Sequence, residues 1–473
     1  MPRLPRTCST LLACLAALPA FAAERPPLVR PFVAVDAPTV ALTHVRVIDG
    51  TGAPARADQT ILIADGRIQA VGAAVAVPKD AKVVDLTGRT AFPGLVMVHE
   101  HLFYPAGENA YNQQEVSFPR LYLAGGVTTM RTGGSLETYT DLNIQKAIDA
   151  GQRPGPAIHV TGPYLEGPGL PILSVKALRD VADARRMVEY WSAEGATSFK
   201  TYMHITRDEL GAVIEEAHRR GHKVTGHLCS VTFREAASLG IDNLEHGFVV
   251  ATDFVKDKQP DACPAGKDVT ASLLALDPDG PEALGLVDAL VAAKVAITST
   301  LPVFETLVPG RAPAPDRALD ALLPEVRDQY LRIRSRIAVD KDSPWPKLLD
   351  LEMKLERTFV ARGGLLVSGT DPTGYGGVVP GFANQRVLEL LVEAGFTPLE
   401  AIGIGTRNGA RYLGLEDRIG TIAPGKQADL VIVEGDPSQK IADVEKVELV
   451  FRAGLGYDPK KLIDSVKGVA GLR

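Results

Sequence analysis

Between Val40 and Gly94 the chain runs in short apolar or alternating stretches broken by turn residues. Thr43–Ile48 and Ile61–Ile63 carry the strand pattern, and Asp49-Gly50 and Asp65-Gly66 the turns. The same texture returns near the other end, in Arg418–Ile422, after Pro424-Gly425 in Leu430–Val433, and again in Val447–Phe451. Chain ends often lie together in space, so the two pieces predict one small β domain built from both. From Gly94 onward strands alternate with amphipathic helices, the order of a parallel α/β fold. Strands are predicted to end near His101, Arg131, Gly162, Lys200, His227, His246, Thr300 and Asp371, and eight is the number that closes a barrel. One helix is legible in detail. Thr206 and Glu209 have the spacing of a capping box, Leu210, Val213, Ile214 and Ala217 follow at helical spacing, and Gly221 ends the run. The expected fold class is α/β: a (β/α)8 TIM barrel over 94–412 with a small β-sandwich domain formed from both chain ends, 37–93 and 413–460. Two connections, 248–292 and 302–365, are longer than a barrel needs. Such insertions fold over the mouth and set substrate access.

The first residues break this pattern. Arg3 and Arg6 precede an apolar run from Leu11 to Leu18, then Pro19 and the small-residue pattern Ala20-Phe21-Ala22. That order predicts a secretory signal peptide, residues 1–22, and a periplasmic or secreted protein. The apolar run is too short to span a bilayer, and no other stretch approaches a membrane span. Leu11-Leu12-Ala13-Cys14 loosely resembles a lipoprotein box, which leaves lipidation as an alternative to soluble export. Without the leader two cysteines remain, Cys229 and Cys263, able to pair in an oxidising compartment or to stay free. Hydrophobic residues at 45% and charged residues at 23% describe an ordinary globular chain. A net charge of −6 without a basic cluster argues against nucleic acid and anionic membrane as partners, leaving a small-molecule substrate.

Candidate chemistry begins at Pro93-Gly94-Leu95-Val96-Met97-Val98-His99-Glu100-His101, a buried strand ending in His-x-His. Side chains alternate along a strand, so His99 and His101 share one face and Glu100 takes the other. Two imidazoles at the C-terminal end of a barrel strand suit a transition metal. Alone, such a pair is more often packing or surface histidine. Four further strand ends change the balance: Lys200 after Thr197-Ser198-Phe199, His227 after Val224-Thr225-Gly226, His246 after Asn243-Leu244-Glu245, and Asp371 after Ser368-Gly369-Thr370. Each step from Lys200 to His227 to His246 is about one β/α unit, which keeps the three at one level of the barrel. Of nine histidines, four fall at predicted strand ends, which packing alone does not explain.

These residues resemble the amidohydrolase superfamily, together with Pro93-Gly94 entering the His-x-His strand and Gly420-Thr421-Ile422-Ala423-Pro424-Gly425-Lys426-Gln427-Ala428-Asp429-Leu430 in the outer domain. Gly126-Val127-Thr128-Thr129-Met130-Arg131 fits the branch of periplasmic amidases similar to Xaa-Pro dipeptidases, with imidazolonepropionase a more distant cousin. The resemblance implies two divalent metal ions, zinc being favoured. His99, His101 and Asp371 would hold one, His227 and His246 the other, and Lys200 would bridge both as a CO2-derived carbamate. It implies hydrolysis of an amide by a bridging hydroxide, with Asp371 as the catalytic proton carrier and a dipeptide, N-acyl amino acid or similar compound as substrate. The family commonly assembles, so a homo-oligomer is open. The carbamate has a chemical reason: an ammonium offers no lone pair to a metal, whereas a carboxylated lysine offers two anionic oxygens.

Tyr202, His204 and Arg131 are the candidate substrate contacts, for a carbonyl oxygen or a terminal carboxylate. Tyr164, Glu166 and Thr300 sit at strand ends with less specific roles. His44, His159, His218 and His222 fall away from the predicted mouth. Three alternatives remain. The same site suits a lactone, phosphoester or cyclic amidine. Mononuclear deamination fits less well, because related deaminases carry a Glu shortly after the third histidine, where Cys229 and Ser230 stand here. A non-catalytic scaffold would not be expected to retain all six ligand positions.

Overall fold

The computed structural model describes residues 25–106, 110–170, 172 and 174–472, so the predicted signal peptide lies outside them. Eight parallel strands form the barrel: β1 (Leu95–Glu100), β2 (Val127–Thr132), β3 (Ala157–His159), β4 (Ser198–Thr201), β5 (Lys223–Gly226), β6 (Asn243–Glu245), β7 (Ala296–Ser299) and β8 (Leu366–Ser368). The chain pairs β1 with β2 and β2 with β3, then β4 through β8 in sequence order. Two seams close the ring. A parallel bridge joins Thr161 to Ser198, and the amides of Thr370 and Asp371 donate to the His99 carbonyl at 3.1 and 3.2 Å. Every residue of β1 and β2 is buried, as expected where helices cover the outside and side chains fill the lumen.

The helix read from sequence spans Arg207–Arg219, with both halves of its capping box made by Thr206 and Glu209. Leu210, Val213, Ile214 and Ala217 are its buried stripe, and Gly221 follows the helix at φ +76°. The over-long connections are more helical than their composition suggests. The first holds helix Gly266–Ala275 before the barrel helix Pro281–Ala292; the second holds Leu301–Glu305, Asp316–Leu319, Pro324–Ala338 and Trp345–Ala361. A disulfide joins Cys229, beyond β5, to Cys263 in the first connection.

Both chain ends meet in a nine-stranded outer sheet. Arg89–Pro93 is the joint: it runs parallel to Thr39–Val47 and antiparallel to Leu430–Glu434, with Pro93 opposite Leu430. Val40, Leu42, Ile61, Ile63, Leu430, Ile432 and Phe451 share the apolar core of this domain. Gly94 then carries the chain into β1. A Cβ there would fall 2.1 Å from Thr128 Oγ1, so only glycine admits that approach. One predicted strand does not form. Arg418–Ile422 is a turn with Gly420 at φ +86°, its Ile419 and Ile422 buried and the Ile422 amide bonded to Asp49 O.

Candidate metal centre

Six side chains converge at the C-terminal mouth of the barrel. His99 lies in β1 and Lys200 in β4, while His101, His227 and His246 each follow their strand by one residue and Asp371 follows β8 by three. All six line one cavity of about 270 Å3. A ring nitrogen of His99, one of His246 and an Asp371 oxygen lie within 4.8 Å of one another. Asp371 Oδ1 stands 3.1 Å from His101 Nε2 and 3.5 Å from His99 Nε2. His227 and His246 rings are 4.4 Å apart, and His246 and His99 rings 4.6 Å.

Partners on three of the four imidazoles fix their ring orientation. His99 Nδ1 meets Glu245 Oε2 at 2.6 Å, His101 Nδ1 meets the Gly134 carbonyl at 3.3 Å, and His246 Nδ1 meets Thr300 Oγ1 at 2.9 Å. Partners of this kind orient metal-binding histidines and raise their basicity. Burial drives His101 down to about 4 and His227 to about 3, with Lys200 assisting at His227, so both rings are neutral and offer a lone pair. At His99 burial also disfavours the cation, but Glu245 and Asp371 together outweigh it and the ring is held above its ordinary value. Asp371 is disfavoured as an anion by burial, yet the His101 hydrogen bond and the His99 field hold it well below the usual carboxylate range. Lys200 is 1% exposed and its Nζ lies 5.9 Å from the Tyr202 ring centre. Burial brings its ammonium down to about 8, against the pull of Glu245 and Asp371. Imidazoles that burial keeps neutral at His101 and His227, an anionic oxygen and a lysine that burial favours deprotonating form a donor set suited to divalent cations.

Glu245 was not anticipated, because alternation along β6 would turn it away from a lumen occupied by His246. It reaches His99 because His246 adopts φ +67°, which breaks the alternation. Its carboxylate receives Arg131 Nη2 at 2.5 Å and the Thr225 hydroxyl, and His99, Arg131 and Lys200 outweigh burial to hold it well below its usual value. An acid directly preceding a strand-end ligand was the available signal.

Arg131 is therefore corrected from substrate contact to buried support. Its side chain is 1% exposed and is used up on the Val98 carbonyl at 2.6 Å, Glu245, and the Tyr412 hydroxyl at 3.2 Å. His204 does not line the cavity either. Its Nδ1 lies 3.3 Å from Glu166, whose carboxyl accepts the His204 amide, so this pair braces the loop after β4. Tyr202 and Tyr164 do line the cavity, and Thr300 serves as the His246 partner. Glu100 faces outward as expected, accepting from Thr370 at 2.5 Å and Asn384 at 2.8 Å. His44 and His218 instead pair with Asp58 and Asp242, and His222 meets Ser192.

The chain is similar to several known proteins. Residues 357–455 match the model of the amidohydrolase family. An adenine deaminase of Deinococcus deserti is 24% identical over 86% of this chain, and the chain spans 58% of that enzyme's length. An enamidase of Eubacterium barkeri is 22% identical over 79% of this chain and 81% of its own. The crystal structure of a candidate prolidase from Bifidobacterium longum superposes with a TM-score of 0.63 at 26% identity, covering 90% of this chain and 98% of that one. The barrel carries at its mouth a His/Asp cluster able to hold a metal ion. The family match over residues 357–455 and the prolidase likeness support the amidohydrolase superfamily for this chain.

Proposed function

We propose that the chain hydrolyses an amide-type C–N bond of a small molecule at a two-metal centre, zinc being the favoured ion. In this reading His99, His101 and Asp371 would hold one cation and His227 and His246 the other, with Lys200, as a carbamate, the shared ligand. The supporting observation is the convergence of all six side chains on one buried cavity at the barrel mouth. The deaminase, enamidase and prolidase likenesses agree with C–N bond chemistry. Divalent cations held there supply Lewis acidity and lower the pKa of water toward neutrality.

The chain's own groups account for the remaining work. Asp371, ionised and against the imidazoles, can take a proton and deliver it to the nitrogen, which must depart as an amine. Glu245, Gly134 O and Thr300 fix the ring orientations of His99, His101 and His246. Tyr202 and Tyr164, kept protonated by burial, can donate to a substrate carbonyl. The likeness to an adenine deaminase favours a cyclic amidine as the second reading. The test is metal analysis of the purified protein with an amide, ester and amidine screen. Stoichiometric divalent metal and amide turnover are expected; a metal-free, inactive protein would leave a scaffold.

Export belongs to the same proposal. The Cys229–Cys263 disulfide persists in oxidising compartments, which agrees with a cleaved leader of residues 1–22. Terminal sequencing of the exported protein should begin at Ala23.

A further inference from the structure

We infer that the substrate is an uncharged amide flanked by aromatic or branched aliphatic groups, and not a free dipeptide or N-acyl amino acid. The inference rests on the amide-hydrolysis reading of this same cavity and narrows it.

Above the ligands the wall is apolar and ring-rich. Phe103 stacks on His101 with ring centres 4.3 Å apart, Tyr202 packs edge-on to His227 at 5.0 Å, and Tyr164 meets Tyr202 at 4.9 Å. Phe304 closes the His246 side at 6.3 Å, with Val250 and Leu307 beside it. Among the described lining residues other than histidine, charge belongs to Lys200 and Asp371, and both are in the ligand set.

A substrate carboxylate would need a cation, and each nearby candidate is directed elsewhere. Arg131 lies beneath the floor, bound to Glu245, Val98 O and Tyr412. His204 stands outside the cavity against Glu166. Lys176 lines a neighbouring groove, across the partition made by Leu136, Tyr164 and Val175. The undescribed positions next to the lining residues are Gly107, Glu108, Asn109, Pro171 and Leu173, none of them basic. A carboxylate on the carbon next to the scissile nitrogen would thus lose water and find hydroxyls but no side-chain cation to pair with, which is unfavourable. A neutral amide instead meets rings that bury its flanks and hydroxyls that donate to its carbonyl.

The test compares N-benzoyl-L-phenylalanine with N-benzoylphenethylamine, which differ only in the carboxylate. On the metal-loaded enzyme both kcat/KM and the calorimetric Kd are measured. The neutral amide is expected to be favoured by roughly 100-fold in each, the scale at which a site rejects a group it leaves unpaired. Equal or tighter binding of the acid overturns the inference, and so does failure of the neutral amide to bind. Calorimetry reads the charge preference even without turnover. Selective binding of the neutral amide with no cleavage of either compound would uphold the preference and count against the hydrolytic reading instead.

Discussion

At Glu245 and His246 two consecutive side chains both meet His99, which the alternation of a regular strand does not allow. The +67° φ of His246 permits it, and Asp371 at +52° departs from its strand in the same way. Such strain collects where function demands a particular geometry. Glu245→Gln keeps an acceptor for Arg131 and removes the charge that orients His99. We expect metal affinity to fall roughly 10–100-fold, the usual cost of losing such a partner, measured by competition with a chelator. Lys200→Ala removes the bridge itself, so metal content and kcat/KM should fall together, the latter by at least about 100-fold; an active, metal-replete variant would end the bridging role. Arg131→Ala should act on stability, by about 3–5 kcal/mol, because it strands a buried carboxylate. A change confined to KM for acidic substrates would restore its role as a substrate contact. The six ligand positions were legible because a period of two and one residue per β/α unit place them. Glu245 and Arg131 were misjudged because that period fails at a positive φ, and because position on a strand does not say how far down the barrel a long side chain reaches.

Elements followed the sequence where their signals were local. The capping box at Thr206 forms as read, and the eight barrel strands form within a few residues of the predicted ends. Arg418–Ile422 has strand composition but is set by contacts from elsewhere, the Ile422 amide being claimed by Asp49 O. The second long connection carried another hidden feature. Helix Trp345–Ala361 places Glu352 and Glu356 one turn apart and fully buried, with Glu352 accepting the amides of Phe248 and Val249 just past His246. Gly247 fits there only without a Cβ, which would meet Glu352 Oε1 at 1.5 Å. Burial raises Glu352 to about 7 and, with Glu352 beside it, Glu356 well above its ordinary value. Below an unfolded pKa near 4.5 both states keep these protons. As pH rises toward 7 the unfolded chain releases them and the folded one does not, so the pair costs stability over that window. Glu356→Gln should therefore gain on the parent as pH goes from about 5 to about 8, by roughly 1–3 kcal/mol. Denaturant titrations at both pH values check this, and a pH-independent difference would refute it.

Across the whole molecule, the mouth is held by contacts from segments far apart in sequence. The outer sheet joins the chain ends through Arg89–Pro93, and the last seam of the barrel closes on the carbonyl of His99, itself a proposed ligand. The disulfide adds a third tie. Cys229 lies two residues beyond His227, and Cys263 lies in the connection that brings Val250 to the cavity wall. Thr252 repeats the link by donating to the Cys229 carbonyl at 3.0 Å. The bond spans 34 positions, and closing a loop of that length removes unfolded-state freedom equivalent to roughly 3–4 kcal/mol in the chain-entropy model. Cys263→Ser should lower unfolding stability by about 2–4 kcal/mol and hasten proteolysis within 250–265. Metal content should be unchanged, because none of the six ligands belongs to that segment. Reducing the parent protein should reproduce the variant in a denaturant titration, while leaving the variant itself unaffected. If reduction leaves the parent's unfolding curve in place, the covalent tie contributes nothing, and the connection is held over the mouth by Thr252 and its apolar packing alone.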